Sequence, residues 1–198
     1  MTMAAPHPQK DTSMATPRNV AVIVGSLRKA SLNRKLALAI AALAPPTLKL
    51  SIVEIGDLPL FNEEWEANPP KPAADFKAAI QAADAVLFVT PEYNRSVPGA
   101  LKNAIDVASR PYGKSAWSGK PGAVISASPG AIGGYGANHH LRQSCVFLNI
   151  PLLPHEAYIG QAHTLFDDAG NLKNDGTKDF LNQFLARFGP WIESNLPK

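Results

Sequence analysis

The chain has 198 residues, of which 45% are hydrophobic and 18% charged, with a net charge of +3 and a pI of about 9.0. That balance fits one soluble domain with enough apolar material for a two-sided core, and no apolar run reaches the ~18 residues needed to span a bilayer. The basic excess is small and scattered apart from a group at 28–35, which argues against nucleic acid as a partner; one cysteine, Cys145, rules out an intramolecular disulfide and argues against a thiolate metal cluster.

Residues 1–18 are polar and proline-containing and read as a disordered tail ahead of a domain over 19–198. They lack the apolar stretch of a secretory signal, so the cytoplasm is the expected compartment, and Met14 is an alternative start. A first strand is expected over 19–24. A helix follows over 32–43, where Leu32, Leu36, Ala39, Ile40 and Leu43 share one face before Pro45 and Pro46. A second strand over 48–55 precedes a long loop over 56–72. A helix over 73–82 leads to a third strand over 85–90, apolar throughout. A helix over 98–109 takes Pro98 in its opening turn. A fourth strand (122–126), a helix (136–148), a fifth strand (153–159) and a last helix (177–194) complete the series. Phe180, Phe184, Phe188 and Trp191 form one stripe of that last helix, which Pro190 interrupts.

Five strands alternating with five helices imply an α/β three-layer sandwich around a mostly parallel sheet. Eight strands would be needed for a barrel. In an open sheet of order 2-1-3-4-5, strands one, three and four are neighbours, and ligands bind beyond their carboxyl ends. The unusual residues fall there. After strand one comes Gly25-Ser26-Leu27-Arg28-Lys29-Ala30-Ser31-Leu32-Asn33, with Ser, Asn and Arg donors beside a helix N-terminus, a combination suited to an anion. The bland alternative is a strand-to-helix turn capped by Ser31. The loop has neither a Gly-x-Gly-x-x-Gly fingerprint nor a Walker motif, so Glu54, at the end of strand two, reads as an ordinary solvated residue. After strand three comes Thr90-Pro91-Glu92-Tyr93-Asn94-Arg95-Ser96-Val97-Pro98-Gly99, a proline-stiffened loop that suits a flat polar ring. After strand four comes a glycine-rich stretch, 126–134, read as letting main chain approach a planar ligand.

These motifs resemble the NADPH-dependent FMN reductase family of flavodoxin-like proteins, including bacterial chromate and quinone reductases. The resemblance covers about 19–195 and rests on 25–33, on 90–106 and, more loosely, on Ser128-Pro129-Gly130-Ala131-Ile132-Gly133-Gly134. It implies that Ser26, Arg28, Ser31, Leu32 and Asn33 hold the FMN phosphate. It further implies that Pro91, Glu92, Tyr93 and Asn94 line the isoalloxazine, with Ser128 and Gly130 closing the site and Arg95 toward the substrate or nicotinamide. The implied activity is ping-pong transfer from NADPH or NADH through FMN to a small acceptor such as a quinone or chromate. A flavin carries the chemistry itself, so no catalytic side chain is expected. The resemblance also implies a homodimer or homotetramer, with 58–65 and the helix of Asp106 as candidate interface pieces. An electron carrier of flavodoxin type without NAD(P)H activity, and a reductase supplying free reduced FMN, are the competing readings.

No metal site and no membrane attachment are expected. His139 and His140 are adjacent, about 100° apart on a helix. Cys145 sits in an apolar stretch and reads as buried. Asp167-Asp168 before Gly170 reads as a turn, and Lys102 with Asp106 as an i,i+4 surface pair.

Overall fold

The computed structural model describes residues 16–196. Of the expected tail over 1–18, residues 1–15 lie outside that range. The elements run β1 (Arg18–Val24), α1 (Leu32–Leu43), β2 (Leu48–Ile52), α2 (Lys71–Ala82), β3 (Ala85–Thr90), α3 (Gly99–Ser109), β4 (Gly122–Ala127), α4 (Tyr135–Phe147), β5 (Ala157–Ile159) and α5 (Asp175–Asn195). The five strands form one sheet of order β2-β1-β3-β4-β5, parallel at every pairing. This is the flavodoxin-like arrangement expected.

The alternation along β1 divides the core. Val20, Val22 and Val24 join Leu36 and Ile40 of α1 and Phe184 and Phe188 of α5 on one face. Ala21 and Ile23 join Phe76, Ile80, Leu101 and Leu141, from α2, α3 and α4, on the other. Every residue of β3 and β4 is buried, the signature of a central strand covered on both sides. Trp117 is fully buried in the second cluster and donates its indole N–H to the Ile105 carbonyl at 2.9 Å. Cys145 is buried there too, and burial pushes its thiol up to about 12. Among the described residues no helix is long and apolar enough to cross a membrane.

Several boundaries differ from the sequence reading. The fifth strand shrinks to three residues. Pro154 has no N–H to give a ladder, and the Leu153 and His155 carbonyls accept from the Arg142 guanidinium, both at 3.2 Å. An isolated bridge from Leu152 to Gly122 is what survives upstream. The loop after β2 holds a single 3₁₀ turn, Glu63–Trp65, capped by Asn62. Arg110 reaches back to it, bonding Glu63 at 3.1 Å and also Glu66. Pro98 is the residue before α3 and not part of its first turn. In α5 the stripe holds, with Phe184 and Phe188 buried and Phe180 and Trp191 half-buried. Lys102 and Asp106 pair at 2.8 Å, and Asp167 accepts from the Asn171 and Gly170 backbone N–H groups in a turn.

Candidate functional site

Three loops converge at the carboxyl end of β1, β3 and β4, and specific contacts brace each against the next. Gly25 joins the first to the second. A Cβ there would lie 2.7 Å from Thr90 Oγ1 and 3.2 Å from Pro91 Cδ, so only glycine lets the chains approach this closely. Asn33 joins the first to the strand that feeds the third: its amide donates to the Ala127 carbonyl at 3.1 Å. Glu92 joins the second to the third. One carboxylate oxygen accepts from the Ala137 N–H at 3.2 Å and the other from Arg95 at 3.3 Å. Ala137 lies in the first turn of α4, so Glu92 serves as that helix's cap from outside the helix.

The first loop ends in α1 with Ser31 as N-cap, its hydroxyl oxygen accepting from the Arg34 N–H at 3.1 Å. Ser31 and Asn33 are both buried. The N–H groups of Leu32 and Asn33 make no hydrogen bond among the described residues, and no acidic residue lies in the first turn of α1. Unspent donors and the positive end of the helix dipole therefore face the loop. Arg28 is exposed and, among the described residues, bonds only the Ala30 carbonyl, at 3.2 Å. Lys29 has no acidic partner among the described residues. Ser26 is half-buried at the start of the loop. Asn33 Oδ1 is buried with no partner among the described residues. The opposite end of that amide faces a carbonyl, so the unpaired atom is an oxygen and an acceptor.

The second loop makes a two-residue hairpin. Tyr93 and Ser96 exchange both main-chain hydrogen bonds at 3.0 Å, and the residues between, Asn94 (φ 50°) and Arg95 (φ 64°), both lie in the left-handed region. Asparagine accepts that conformation readily; arginine is strained in it. The turn leaves the Asn94 and Arg95 N–H groups without partners among the described residues and exposes Tyr93.

In the third loop Ser128 folds back on itself, its hydroxyl accepting from the Gly130 N–H at 3.1 Å. The glycines mostly serve protein packing, unlike the ligand approach expected for them. A Cβ on Gly133 would meet Ile159 N at 2.7 Å, and one on Gly134 would meet Ser126 Cβ at 3.1 Å. Gly130 remains open, with Ser128 Oγ at 3.4 Å as its nearest neighbour. Exposed Leu27, Tyr93, Ile132 and Tyr135 give these loops an apolar rim.

All the expected site residues sit on these three loops and the start of α1, but their side chains divide. Ser26, Arg28, Tyr93 and Asn94 have side chains free to meet a ligand. Ser31, Asn33 and Glu92 have theirs engaged in caps and struts, and Arg95 is tied to Glu92. Leu32 is half-buried against the core, leaving its N–H to face outward. Glu54 is exposed, as expected, and also takes part in an ion pair. Arg34 grips it with two bonds, at 2.6 and 3.0 Å, and the guanidinium holds the Glu54 carboxyl below its ordinary range. Sequence reasoning also missed a polar aromatic group beside the third loop. His139 Nε2 lies 2.9 Å from the Tyr158 hydroxyl and 3.7 Å from Glu156, with Tyr135 packed on the imidazole. Burial, reinforced by Glu156, pushes the Tyr158 phenol up. Nothing in the local pattern brings residue 158 to residue 139; only the β4–β5 pairing does. His140 turns away to Ser96 Oγ at 2.9 Å.

The family model described as NADPH-dependent FMN reductase matches residues 18–164. A quinone reductase of Pseudomonas putida is 62% identical over 184 residues, 92% of this chain and 98% of that protein. A 2-hydroxy-1,4-benzoquinone reductase of a Burkholderia species is 47% identical over 87% of this chain and 95% of its own length. Among solved structures, FerB, a flavoenzyme NAD(P)H:(acceptor) oxidoreductase from Paracoccus denitrificans, superposes with a TM-score of 0.85 at 43% identity. That match covers 91% of this chain and 100% of FerB.

Proposed function

The chain belongs to the NADPH-dependent FMN reductase family, and from that premise we propose that it is an FMN-dependent NAD(P)H oxidoreductase whose acceptor is a quinone. The observation that carries this reading is the bracing of three loops around donors that the protein itself leaves unspent. The fit to FMN follows from the donor set. A phosphate needs hydrogen-bond donors and positive charge. The Leu32 and Asn33 N–H groups, the Ser26 hydroxyl and Arg28 supply them, and the Ser31 hydroxyl, which caps α1 through its oxygen, keeps its O–H to donate. A flat ring edge needs main-chain polar groups on a stiff frame, which the 91–94 segment supplies, with Ser128 and Gly130 opposite. Bound there, FMN supplies two-electron chemistry between NAD(P)H and the acceptor.

The chain's own residues do the rest. Arg28 and the α1 terminus neutralise the phosphate and fix the register of the ring. Tyr93, Ile132 and Tyr135 keep water off the face where donor and acceptor bind in turn. The one carboxylate among the site residues, Glu92, is consumed as a helix cap and held by Arg95. The crevice therefore presents little negative charge to an acceptor, and an uncharged planar quinone suits its apolar rim; chromate is a second acceptor to assay. Anaerobic addition of NADPH to the FMN-loaded protein is the test: prompt loss of flavin absorbance near 450 nm, restored by a benzoquinone, is expected. An unchanged spectrum with both NADPH and NADH contradicts the reading.

A second copy of this chain completes the proposal. Tyr112, Val146 and Phe147 are among the most exposed large apolar residues. Tyr112 and Phe147 flank a groove of about 560 Å³ that also takes in Phe61 and Asp106, and such patches are usually covered. Light scattering is expected to give a dimer or tetramer, reduced to a smaller species by Phe147→Asp.

A further inference from the structure

A second cavity, of about 470 Å³, opens on the other side of the first loop, between it and the end of β2. It shares Ser26 and Arg28 with the anion loop, but none of Ser31, Leu32, Asn33, the 91–94 segment or Ser128 lines it. We infer that this cavity takes the adenosine half of the nicotinamide dinucleotide. The inference rests on the reading of NAD(P)H as electron donor.

The chemistry of the walls points to a nucleoside and not to a simple anion or a lipid. Val24, Val53 and Ile55 make an apolar floor suited to a purine face. Its volume lies within the range of small-molecule sites. Charge is arranged in three parts around that floor. Arg34 and Glu54 cancel one another through their two-bond pair, so that wall is polar but neutral. Lys29 and Asp57 both line the cavity and have no ionic partner among the described residues. Asp57 lies in the segment that follows β2, and a carboxylate there can accept from a ribose 2′-hydroxyl. A free ammonium in the same cavity meets a 2′-phosphate. A simple anion would leave the apolar floor unused, and an apolar ligand would leave the charges of Arg28, Lys29 and Asp57 idle. A nucleotide uses the floor, the acid and the base together. The opposed pair also makes the site tunable: Asp57 favours the 2′-hydroxyl of NADH and Lys29 favours the 2′-phosphate of NADPH. The cavity shares Ser26 and Arg28 with the anion loop, so the two sites adjoin.

The test uses dinucleotide fragments lacking the nicotinamide, so that binding is read without hydride transfer. ADP-ribose and 2′-phospho-ADP-ribose are titrated calorimetrically into FMN-loaded wild type, Lys29→Ala and Asp57→Asn. Both variants are at exposed positions, and FMN content measured by absorbance controls for the cofactor. Wild type is expected to bind both fragments. Lys29→Ala is expected to weaken the 2′-phosphate fragment about three- to fivefold, the scale of an exposed charge pair, and to leave ADP-ribose unchanged. Asp57→Asn is expected to shift the preference the other way by a similar factor. Failure of wild type to bind either fragment overturns the inference, as does an equal response of both fragments to each substitution. Flavin bleaching by NADPH in the same preparation separates the failures. Bleaching without fragment binding removes this site and leaves the oxidoreductase standing. Fragment binding without bleaching keeps the site and removes the oxidoreductase.

Discussion

Replacing Gly25 and Gly99 by alanine adds the same methyl group at two places with opposite expected results. At Gly99, the first residue of α3, an added Cβ has nothing within 4 Å. Alanine there loses less chain entropy on folding and is expected to stabilise by about 0.5–1 kcal/mol. At Gly25 the Cβ would lie 2.7 Å from Thr90 Oγ1, 3.1 Å from Leu101 Cδ2 and 3.2 Å from Pro91 Cδ. None of these can retreat cheaply. Thr90 and Leu101 are fully buried, and the Thr90 hydroxyl already donates to the Pro91 carbonyl at 2.8 Å. A buried methyl that fitted would gain about 0.8 kcal/mol; one forced into close contact costs about 1–3 kcal/mol. Taking about 2 kcal/mol, a chain of this size should lose about 4–8 °C in Tm. The relief open to the protein is to part the first loop from the second, so FMN affinity should fall as well. Scanning calorimetry of the apo proteins and fluorescence titration with FMN measure the two effects. A Gly25→Ala protein as stable as wild type, with unchanged FMN affinity, would refute the idea that this contact sets the crevice.

Other consequences follow from the same contacts. Asn33→Ala leaves the buried Ala127 carbonyl without its donor and should cost about 1–3 kcal/mol in urea unfolding. Glu92→Ala uncaps α4 and should cost about 1–2 kcal/mol, whereas Glu92→Gln, which keeps an acceptor for Ala137, should cost less. Cys145 should resist an aromatic disulfide reagent at pH 8 in the native protein and react fully in denaturant. Its folded pKa, about 12, lies above the unfolded value, so its contribution to stability is complete below about pH 9 and is lost as pH rises toward 12. The slope is at most about 1.4 kcal/mol per pH unit, and Cys145→Val should remove it. In acid the sign reverses for Glu54 and Glu193. Their arginine partners hold both carboxyls below the ordinary range. The stability they contribute is present above about pH 4.5 and fades below it. Both side chains are largely exposed, so solvent screening keeps that contribution small.

The sheet was legible because strands buried on both faces read as unbroken apolar runs, as at 85–90, and because α1 carries a clean helical period between Ser31 and Pro45. The convergence of the three loops followed from topology, since strand order alone sends them to one edge. Side-chain assignments did not follow. Ser31, Asn33 and Glu92 each look like ligand donors or acceptors in the sequence, yet each is engaged by a protein partner: Arg34, Ala127 and Ala137. Two of those partners are 45 or more residues away and come close only through the fold. Gly133 and Gly134 were read as room for a ligand for a related reason. A glycine signals close approach without saying to what, and here the nearest neighbours are β5 and β4. The Arg34–Glu54 pair was hidden because its members belong to different elements brought together by β1–β2 pairing.

The most direct test separates the two halves of the cofactor. Apo protein is titrated with FMN and with riboflavin, for wild type and for Arg28→Ala, by quenching of flavin fluorescence. If the 26–33 loop clasps a phosphate, wild type should bind FMN at least about a hundredfold more tightly than riboflavin, two or more charge-assisted hydrogen bonds being lost with the phosphate. Arg28→Ala should weaken FMN about tenfold or more and leave riboflavin unchanged. Equal affinity for the two flavins, or an equal loss of both in Arg28→Ala, would contradict it.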